Sequence, residues 1–246
     1  MESFGHIIVV GECGSTQDLA LERARSGEPE GTAVLCLNQT GGRGSQGREW
    51  VSPTGKNVAM SVLLRPSLPS GEAPLLGMMT SIAVARTVEK TGVVAQVRWP
   101  NDVLVEEKKI AGILPEARIA GGRIEVAIMG VGLNVNCRPE DFPPHLRPEV
   151  TSLLMCTGRE WAVLDVARGL LDEFGELYQR VRHEGCAFVP RLWERWWRHR
   201  GRVFSRDGVT GTAEGIDADG ALMLRNSDGR VLRITSGTAL PVHSHE

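Results

Sequence analysis

The sequence predicts an α+β protein made of a larger mixed portion followed by a small all-β portion. Before residue 200, short β-branched apolar runs alternate with segments whose apolar residues recur at helical spacing. After residue 200, β-rich runs are separated by Asp-Gly pairs, a strong hairpin signal. These pairs are Asp207-Gly208, Asp219-Gly220 and Asp228-Gly229. Three of them in about 40 residues are typical of a small β-barrel, so we expect domains at 1–199 and 200–246.

The individual elements follow from the same two periodicities. Strands are predicted where the chain is apolar and rich in β-branched residues, at 7–11, 32–37, 57–64, 95–98, 103–105, 109–115 and 123–135. Helices are predicted where apolar residues form one stripe, at 18–24, 74–90, 162–183 and 189–199. Ser15 and Thr16 supply hydroxyl caps for the first helix. Four prolines between residues 139 and 148 predict a surface loop.

Composition excludes several classes of protein. With 41% hydrophobic and 24% charged residues and a net charge of -2, neither disorder nor a surface wholly devoted to nucleic acid is expected. The five cysteines are widely spaced and form no CxxC motif, so we expect reduced thiols and no metal site. No apolar run is long enough to cross a membrane. We therefore expect a cytoplasmic protein without membrane contact.

The densest functional candidate is the loop Gly42-Arg-Gly-Ser-Gln-Gly-Arg-Glu-Trp50. Its glycines let backbone N–H groups approach a ligand, and Arg43 and Arg48 offer guanidinium groups to phosphate or carboxylate. Trp50 offers a flat face to a base, so the loop suits an anionic nucleotide. It is neither a P-loop nor a dinucleotide fingerprint, because it leads into a strand and lacks GxxxxGK[ST]. The alternative is a flexible surface loop with solvated arginines.

A second candidate joins Arg98-Trp-Pro-Asn-Asp102 to Lys109-Ile-Ala-Gly-Ile-Leu114. A lysine at the start of an apolar strand is costly to bury unless its ammonium meets an anion. Gly112 removes a side chain where a ligand needs room. The alternative is an ordinary Asn-Asp turn with Lys109 extended to solvent.

Three weaker features complete the set. The strand ending Gly130-Val-Gly-Leu-Asn134 could present an amide to a base or ribose, or be an ordinary strand end. Hydroxyls at Gly14-Ser-Thr-Gln17 could bind a polar ring or simply cap a helix. Between residues 191 and 206, arginines surround Trp193, Trp196 and Trp197. Nucleic-acid binding is one interpretation, but we favour packing between the two portions, with a solvated arginine face.

Taken in order, these motifs resemble those of biotin protein ligases. That family carries Ser-Thr near its start, a Gln before a GRGRxGRxW loop, then (K/R)WPND, KxxGIL and GxGxN. The matching positions here are Ser15-Thr16, Gln39, Gly42 to Trp50, Arg98 to Asp102, Lys109 to Leu114 and Gly130 to Asn134. The resemblance extends from residue 7 to about residue 240, and the ordered set of motifs is far more specific than any one of them.

The resemblance implies a class II synthetase-like biotin/lipoate ligase fold with a C-terminal SH3-like barrel. It implies that biotin and MgATP give biotinyl-5′-AMP, which then biotinylates a lysine of a biotin carboxyl carrier domain. By position, the implied catalytic residues are Lys109, Arg48 and Asp102. The implied biotin-binding residues are Ser15, Thr16, Gln39, Gly42, Arg43, Lys109 and Gly112. The implied nucleotide-binding residues are Arg43, Ser45, Arg48, Trp50, Asn101, Lys109 and Asn134.

Two departures from the family pattern matter. Ser45 stands where the loop usually has a second basic residue, which predicts weaker retention of biotinyl-AMP, and Gln17 replaces a common Asn. Because the first strand is predicted from Ile7, we expect no winged helix and no operator DNA binding. The protein is expected to be a monomer or a homodimer. The remaining alternatives are a lipoate or octanoate ligase and a non-catalytic biotin-binding protein.

Overall fold

The computed structural model describes residues 4, 6–206, 209–235 and 240–241, which form helices and two β-sheets. The strands of the larger sheet are β1 (Ile7–Cys13), β2 (Ala33–Gln39), β3 (Asn57–Leu64), β4 (Gln96–Arg98), β5 (Asp102–Val105), β6 (Lys108–Ala120) and β7 (Arg123–Asn134). They lie in the order β1-β2-β3-β7-β6-β5-β4. The β1–β2 pair is parallel and the other neighbours are antiparallel, so the sheet is mixed.

The helices are α1 (Thr16–Arg25), α2 (Ala73–Glu89), α3 (Leu153–Thr157), α4 (Val163–Glu184) and α5 (Val189–Trp193). Helix α2 packs between the sheet and α4, and it is apolar on nearly every side because both neighbours bury it. Helix α1 packs on a separate apolar cluster. Val62 belongs to the α2 cluster and Leu63 to the α1 cluster. Since successive residues of a strand face opposite sides, helices cover both faces of the sheet, which explains why β3 is buried along its whole length.

The smaller sheet is antiparallel and contains β8 (Val203–Arg206), β9 (Val209–Ile216), β10 (Leu222–Arg225), β11 (Val231–Ile234) and β12 (Leu240–Pro241). Asp219-Gly220 turns β9 into β10, and Asp228-Gly229 turns β10 into β11, as predicted. Gly220 and Gly229 have φ of +87° and +77°, a region that favours glycine. The third pair, Asp207-Gly208, lies outside the described residues. The predicted α+β fold class is confirmed.

Aromatic side chains join the two sheets. The Trp99 indole donates a hydrogen bond of 2.9 Å to the Gly220 carbonyl oxygen. Trp193, Trp196 and Trp197 are all buried in the shared core, as the packing interpretation expected.

Several elements differ from the sequence predictions. The predicted helix 189–199 is wrong beyond Trp193, because the chain turns there and Trp197 forms a parallel bridge with Val97. Strand β6 continues past Pro115 to Ala120 because it forms a long hairpin with β7. Helix α3 was not predicted. None of the helices in the described ranges is both long and apolar enough to span a membrane.

Candidate functional site

The predicted motifs converge on two adjoining clefts at one end of the larger sheet. The first cleft is formed by the start of α1, the glycine-rich loop and the strands β5, β6 and β7. Its lining includes Ser15, Thr16, Gln39, Arg43, Ser45, Trp50, Asn101, Asp102, Lys109 and Gly112. The second, wider cleft shares Ser45, Trp50, Asp102 and Lys109 with the first, and Arg48, Arg98 and Asn134 also line it. Gly42 is buried immediately before Arg43.

A buried hydrogen-bond network forms one end of the first cleft. Both the backbone N–H and the hydroxyl of Thr16 donate to Oε1 of Gln39, at 2.9 and 3.2 Å. The carbonyl of Gln39 is thereby engaged, so its amide nitrogen is the group that it can offer a ligand. Ser61 Oγ lies 2.8 Å from Thr16 Oγ1 and 3.0 Å from Gln17 Oε1. The Gln17 amide nitrogen donates to the Leu114 carbonyl oxygen at 3.0 Å.

Sequence reasoning did not assign Ser61 or Gln17 to the site. Both are buried, and both hydrogen-bond within this network. The signal for Ser61 was a hydroxyl in the middle of a mostly apolar, fully buried strand, where an unsatisfied polar group would be costly. Gln17 lies against Gly130, where an added Cβ would come within 2.9 Å of the Gln17 amide carbon.

The indole of Trp50 lies across a pair of glycines on neighbouring strands. Gly112 of β6 and Gly132 of β7 face each other in the strand register. A Cβ at Gly112 would lie 3.0 Å from Trp50 Cζ3, and one at Gly132 would overlap the indole. Among the described residues, no hydrogen-bond partner faces the buried Trp50 Nε1. The glycines therefore leave room for an aromatic side chain inside the cleft.

Lys109 reaches the cleft because of a β-bulge. Val103 of β5 faces Ala111, but Leu104 faces Lys109, so Ile110 is the extra residue. Without the bulge, Lys109 and Gly112 would point to opposite faces of the strand, since they are three residues apart. Here the Lys109 Nζ lies 3.1 Å from the Cβ position of Gly112. Lys109 and Gly112 of the KxxG motif can thus face the same cleft only because the strand is bulged.

Asp102 lies between two cations. Its carboxylate is 2.6 Å from Lys109 Nζ and 2.7 Å from Arg98 Nη2. Burial would raise the pKa of Asp102, but the charges of Lys109 and Arg98 and their hydrogen bonds outweigh it and lower the pKa below its usual value. The carboxylate is therefore a weak base that orients the Lys109 ammonium.

The two loop arginines contact other protein groups. Arg43 pairs with Asp18 at 2.8 Å and lies 3.5 Å from Glu116. Arg48 donates to Ser45, with 2.9 Å from Nη2 to the hydroxyl and 3.2 Å from Nε to the carbonyl oxygen. Both arginines are exposed, so these contacts can exchange for an anionic ligand at little cost.

The two predicted nucleotide-contacting asparagines are engaged with the protein backbone. Asn101 donates from its side chain to the Ile113 carbonyl oxygen at 3.1 Å, and the Ile113 N–H donates to the Asn101 carbonyl oxygen at 3.1 Å. Asn134 is 1% exposed and donates to the Thr151 carbonyl oxygen at 2.9 Å. Their amides thus hold neighbouring segments together, a function that spacing alone did not reveal.

The mixed sheet carries a cleft with a buried polar end and a lysine–aspartate pair, and the residues that line it fall within a stretch that matches a family of ligases. Residues 10–134 match the biotin/lipoate A/B protein ligase family, and residues 203–239 match the biotin protein ligase C-terminal domain. The chain belongs to the biotin/lipoate A/B protein ligase family.

Individual relatives agree with this assignment. The chain is 35% identical over 229 residues to the bifunctional ligase/repressor BirA of Bacillus subtilis, covering 91% of this chain and 70% of that protein. It is 31% identical to the biotin–[acetyl-CoA-carboxylase] ligase of Paracoccus denitrificans, covering 80% and 85% of the two chains. A solved biotin protein ligase from Aquifex aeolicus in complex with biotin and ATP superposes with a TM-score of 0.81. It is 26% identical and covers 97% of this chain and 99% of that one.

Proposed function

We propose that the protein is a biotin–protein ligase. It activates biotin with ATP as biotinyl-5′-AMP and transfers the biotinyl group to a lysine on a carrier domain of a biotin-dependent carboxylase. The observation that carries this proposal is the convergence of five separate sequence motifs on two clefts that meet at Lys109. The names of the relatives support biotin as the acid and a carboxylase as the acceptor.

The closed polar end of the first cleft suits the ureido ring of biotin. That ring offers one carbonyl acceptor and two N–H donors. The Gln39 amide nitrogen and the Ser15 hydroxyl would contact this ring. The Thr16–Gln39 hydrogen bonds fix the orientation of the Gln39 amide. The backbone of Gly42, Arg43 and Gly112 would line the remaining wall. The valerate chain would then direct the biotin carboxylate toward Lys109.

The first step joins two anions and therefore needs cations. A carboxylate oxygen of biotin attacks the α-phosphorus of ATP, the bond to the bridging oxygen breaks, and pyrophosphate leaves. Lys109, held by Asp102 at 2.6 Å, would reduce the repulsion between carboxylate and phosphate and stabilise charge on the transferring phosphoryl group. Arg48 and Arg43 would exchange their present contacts with Ser45 and Asp18 for phosphate.

The adenosine would occupy the second cleft. We propose that Trp50 stacks on adenine, that Ser45 and Asn134 border the nucleotide there, and that Asn101 borders it from the first cleft.

Among the described residues, no group of three or more His, Cys, Asp or Glu side chains could hold a metal ion. Mg²⁺ fits this donor set only as an ion bound mainly by the phosphates of ATP and by water, as is common for this ion. The protein would then contribute cationic side chains to the phosphates rather than carboxylate ligands to the metal.

In the second step, the neutral amine of the acceptor lysine attacks the acyl carbon. The bond between the acyl carbon and the AMP oxygen breaks, AMP leaves, and the new amide loses a proton to solvent. The lowered pKa of Asp102 makes it a poor acceptor for that proton, since Lys109 and Arg98 stabilise its charged form. We propose that Asp102 instead positions Lys109 and helps to orient the incoming amine.

Pyrophosphate exchange into ATP tests the proposal directly. We expect exchange with biotin and none with lipoate, octanoate or no acid, and we expect a Lys109→Ala variant to lose it. Exchange with lipoate or octanoate would identify the alternative ligase. Biotin binding without exchange would identify a non-catalytic binder.

Two further expectations stay predictions and have simple tests. We propose that the protein does not bind operator DNA, and a sequence-specific gel shift in the presence of biotin would contradict this. We propose a monomer or a homodimer, which sedimentation equilibrium with and without biotinyl-AMP distinguishes.

A further inference from the structure

Strand β6 changes partner at the residue next to its bulge. Its pairing with β7 ends where Ala111 faces Leu133. Beyond that point β6 pairs with the segment 149–151 instead. The Lys109 N–H donates to the Glu149 carbonyl oxygen at 2.7 Å, and the Thr151 N–H donates to the Lys109 carbonyl oxygen at 3.0 Å. The backbone of Lys109 is thus fixed by β5 on one side and by the 149–151 segment on the other.

The side chain of Asn134 joins these two partners of β6. Asn134 is the last residue of β7, and its Nδ2 donates to the Thr151 carbonyl oxygen at 2.9 Å. Asn57 Nδ2 lies 3.3 Å from Asn134 Oδ1 and orients the amide for that donation. Asn134 is 1% exposed and Asn57 3%. A buried amide with hydrogen-bond partners on both sides is rigid, because losing either hydrogen bond would leave a buried polar atom unsatisfied, which is costly in free energy.

The 149–151 segment needs such an attachment. It follows the four-proline stretch between residues 139 and 148, where the only regular structure in this described stretch is the short 3-10 turn Pro139–Asp141. After it, the Ser152 hydroxyl donates to the Cys137 carbonyl oxygen at 2.6 Å, and the Leu154 N–H donates to the Val135 carbonyl oxygen at 2.8 Å. These two bonds anchor the start of α3, whereas the Asn134 bond lies at the residue that contacts Lys109.

We propose that Asn134 is a positioning residue for Lys109. It holds the 149–151 segment against the bulged end of β6, and this segment fixes the backbone from which the Lys109 side chain extends to the cleft. The inference rests on the proposed function, because it assumes that Lys109 acts on the biotin carboxylate and the phosphate. It assigns Asn134 an effect on the rate of adenylation that does not depend on direct contact with the nucleotide.

The test compares Asn134→Leu with Asn136→Leu. Asn136, two residues further on, makes the same kind of contact to a different segment: its Nδ2 donates to the Trp161 carbonyl oxygen at 2.8 Å, and its Oδ1 accepts from the Trp161 N–H at 3.0 Å. Both variants lose side-chain bonds to backbone, but only Asn134→Leu loosens the segment beside Lys109. Each variant is measured by amide hydrogen exchange and by single-turnover formation of biotinyl-AMP.

We expect Asn134→Leu to speed exchange of the Lys109 and Thr151 amides about tenfold and to slow adenylation about tenfold, the effect of losing one buried hydrogen bond. The loss of rate should persist at saturating ATP, because it does not depend on contact with the nucleotide. Asn136→Leu should match the wild type in both measurements.

Two results would overturn the proposal. Unchanged exchange at Lys109 and Thr151 in Asn134→Leu would show that the segment does not depend on Asn134. A raised KM for ATP with an unchanged single-turnover rate would identify a direct nucleotide contact instead. If the wild type forms no biotinyl-AMP, the proposed function fails, while hydrogen exchange still decides whether Asn134 holds the segment.

Discussion

The indole of Trp50 occupies the space that a side chain at Gly132 would need. Gly132 faces Gly112 across the β6–β7 pair, and the same indole lies 3.0 Å from the Cβ position of Gly112. The Lys109 ammonium lies 5.5 Å from the centre of the Trp50 ring, a cation–π distance. The KxxG and GxG motifs are therefore two halves of one surface, on which the glycine-rich loop places its aromatic residue beside the Lys109 ammonium.

Replacing Gly132 by alanine should displace this indole. We expect Gly132→Ala to destabilise the protein by about 1–3 kcal/mol, because an added methyl group in a filled space forces its neighbours to move. We also expect weaker ATP binding, since Trp50 would no longer face the second cleft. Chemical denaturation and calorimetric titration with a non-hydrolysable ATP analogue measure the two effects.

The Trp50→Ala background provides the control for that prediction. If the clash with the indole is the cause, adding Gly132→Ala to Trp50→Ala should cost little further stability. Gly169→Ala serves as a second control, because a Cβ there would meet no atom within 4 Å. Gly169 lies inside helix α4, where alanine is preferred, so this variant should be slightly stabilised. Equal losses from Gly132→Ala with and without Trp50 would contradict the interpretation.

Asp102→Asn should impair adenylation far more than it impairs folding. Lys109 would lose the carboxylate that lies 2.6 Å from its ammonium, and misplacement of a reacting group by about 1 Å can cost roughly a hundredfold in rate. Single-turnover adenylation measures this loss.

Glu173→Gln is a matched control for Asp102→Asn. Glu173 is also buried between two cations, Arg86 at 3.2 Å and Lys90 at 2.5 Å, but it lies on α4 and lines neither cleft. The Glu173→Gln variant should be less stable than the wild type but should keep the wild-type rate of adenylation. Comparable rate losses in the two variants would mean that Asp102 acts only through folding.

The sequence specified the fold more completely than the site. Regular apolar patterns located most strands and the long helices, because burial on one or both faces imposes a period that a single sequence displays. The bulge at Ile110 and the pairing of Lys109 with the 149–151 segment have no such local signal. They depend on which strands become neighbours, and so does the engagement of Asn134 with Thr151. Helix 189–199 was predicted too long for a related reason: its Trp spacing fits a helix, but tertiary pairing of Trp197 with Val97 ends it early.

Stability should fall as the pH drops below about 6.5 because of His199. The ring is fully buried against Phe204, with Nε2 3.5 Å from Glu107, and Arg202 lies 3.2 Å from the same carboxylate. Burial lowers the pKa of His199 below its usual value of 6.5. The Glu107 carboxylate opposes this lowering, and the positive charge of Arg202 reinforces it. With a lower pKa in the folded state, protons bind preferentially to the unfolded chain, so the stabilisation is complete above pH 6.5 and is lost below it.

Urea denaturation between pH 5.0 and 7.5 measures this dependence. The lowered pKa of Asp102 affects stability only at more acidic pH, because its usual value is already 3.8. His199→Gln should therefore be less stable at pH 7.5 but show a flatter pH profile, whereas the exposed His145→Gln should keep the wild-type profile. A wild-type slope in His199→Gln would assign the dependence to other groups.

Ser45→Arg should slow the release of biotinyl-AMP. In the present loop Ser45 accepts a hydrogen bond of 2.9 Å from Arg48, so an exposed guanidinium is held by a neutral side chain at the edge of both clefts. An arginine at this position would remove the hydroxyl contact to Arg48 and add a second cation facing the adenylate phosphate, and each charge-assisted contact strengthens anion binding. Ser45→Ala separates the two effects, since it removes the hydroxyl contact to Arg48 without adding charge. We expect dissociation of biotinyl-AMP, followed by stopped-flow fluorescence, to slow in Ser45→Arg by about tenfold, the effect of one charged hydrogen bond, and to change little in Ser45→Ala. Equal dissociation rates in wild type and Ser45→Arg would mean that the serine does not limit retention of the intermediate.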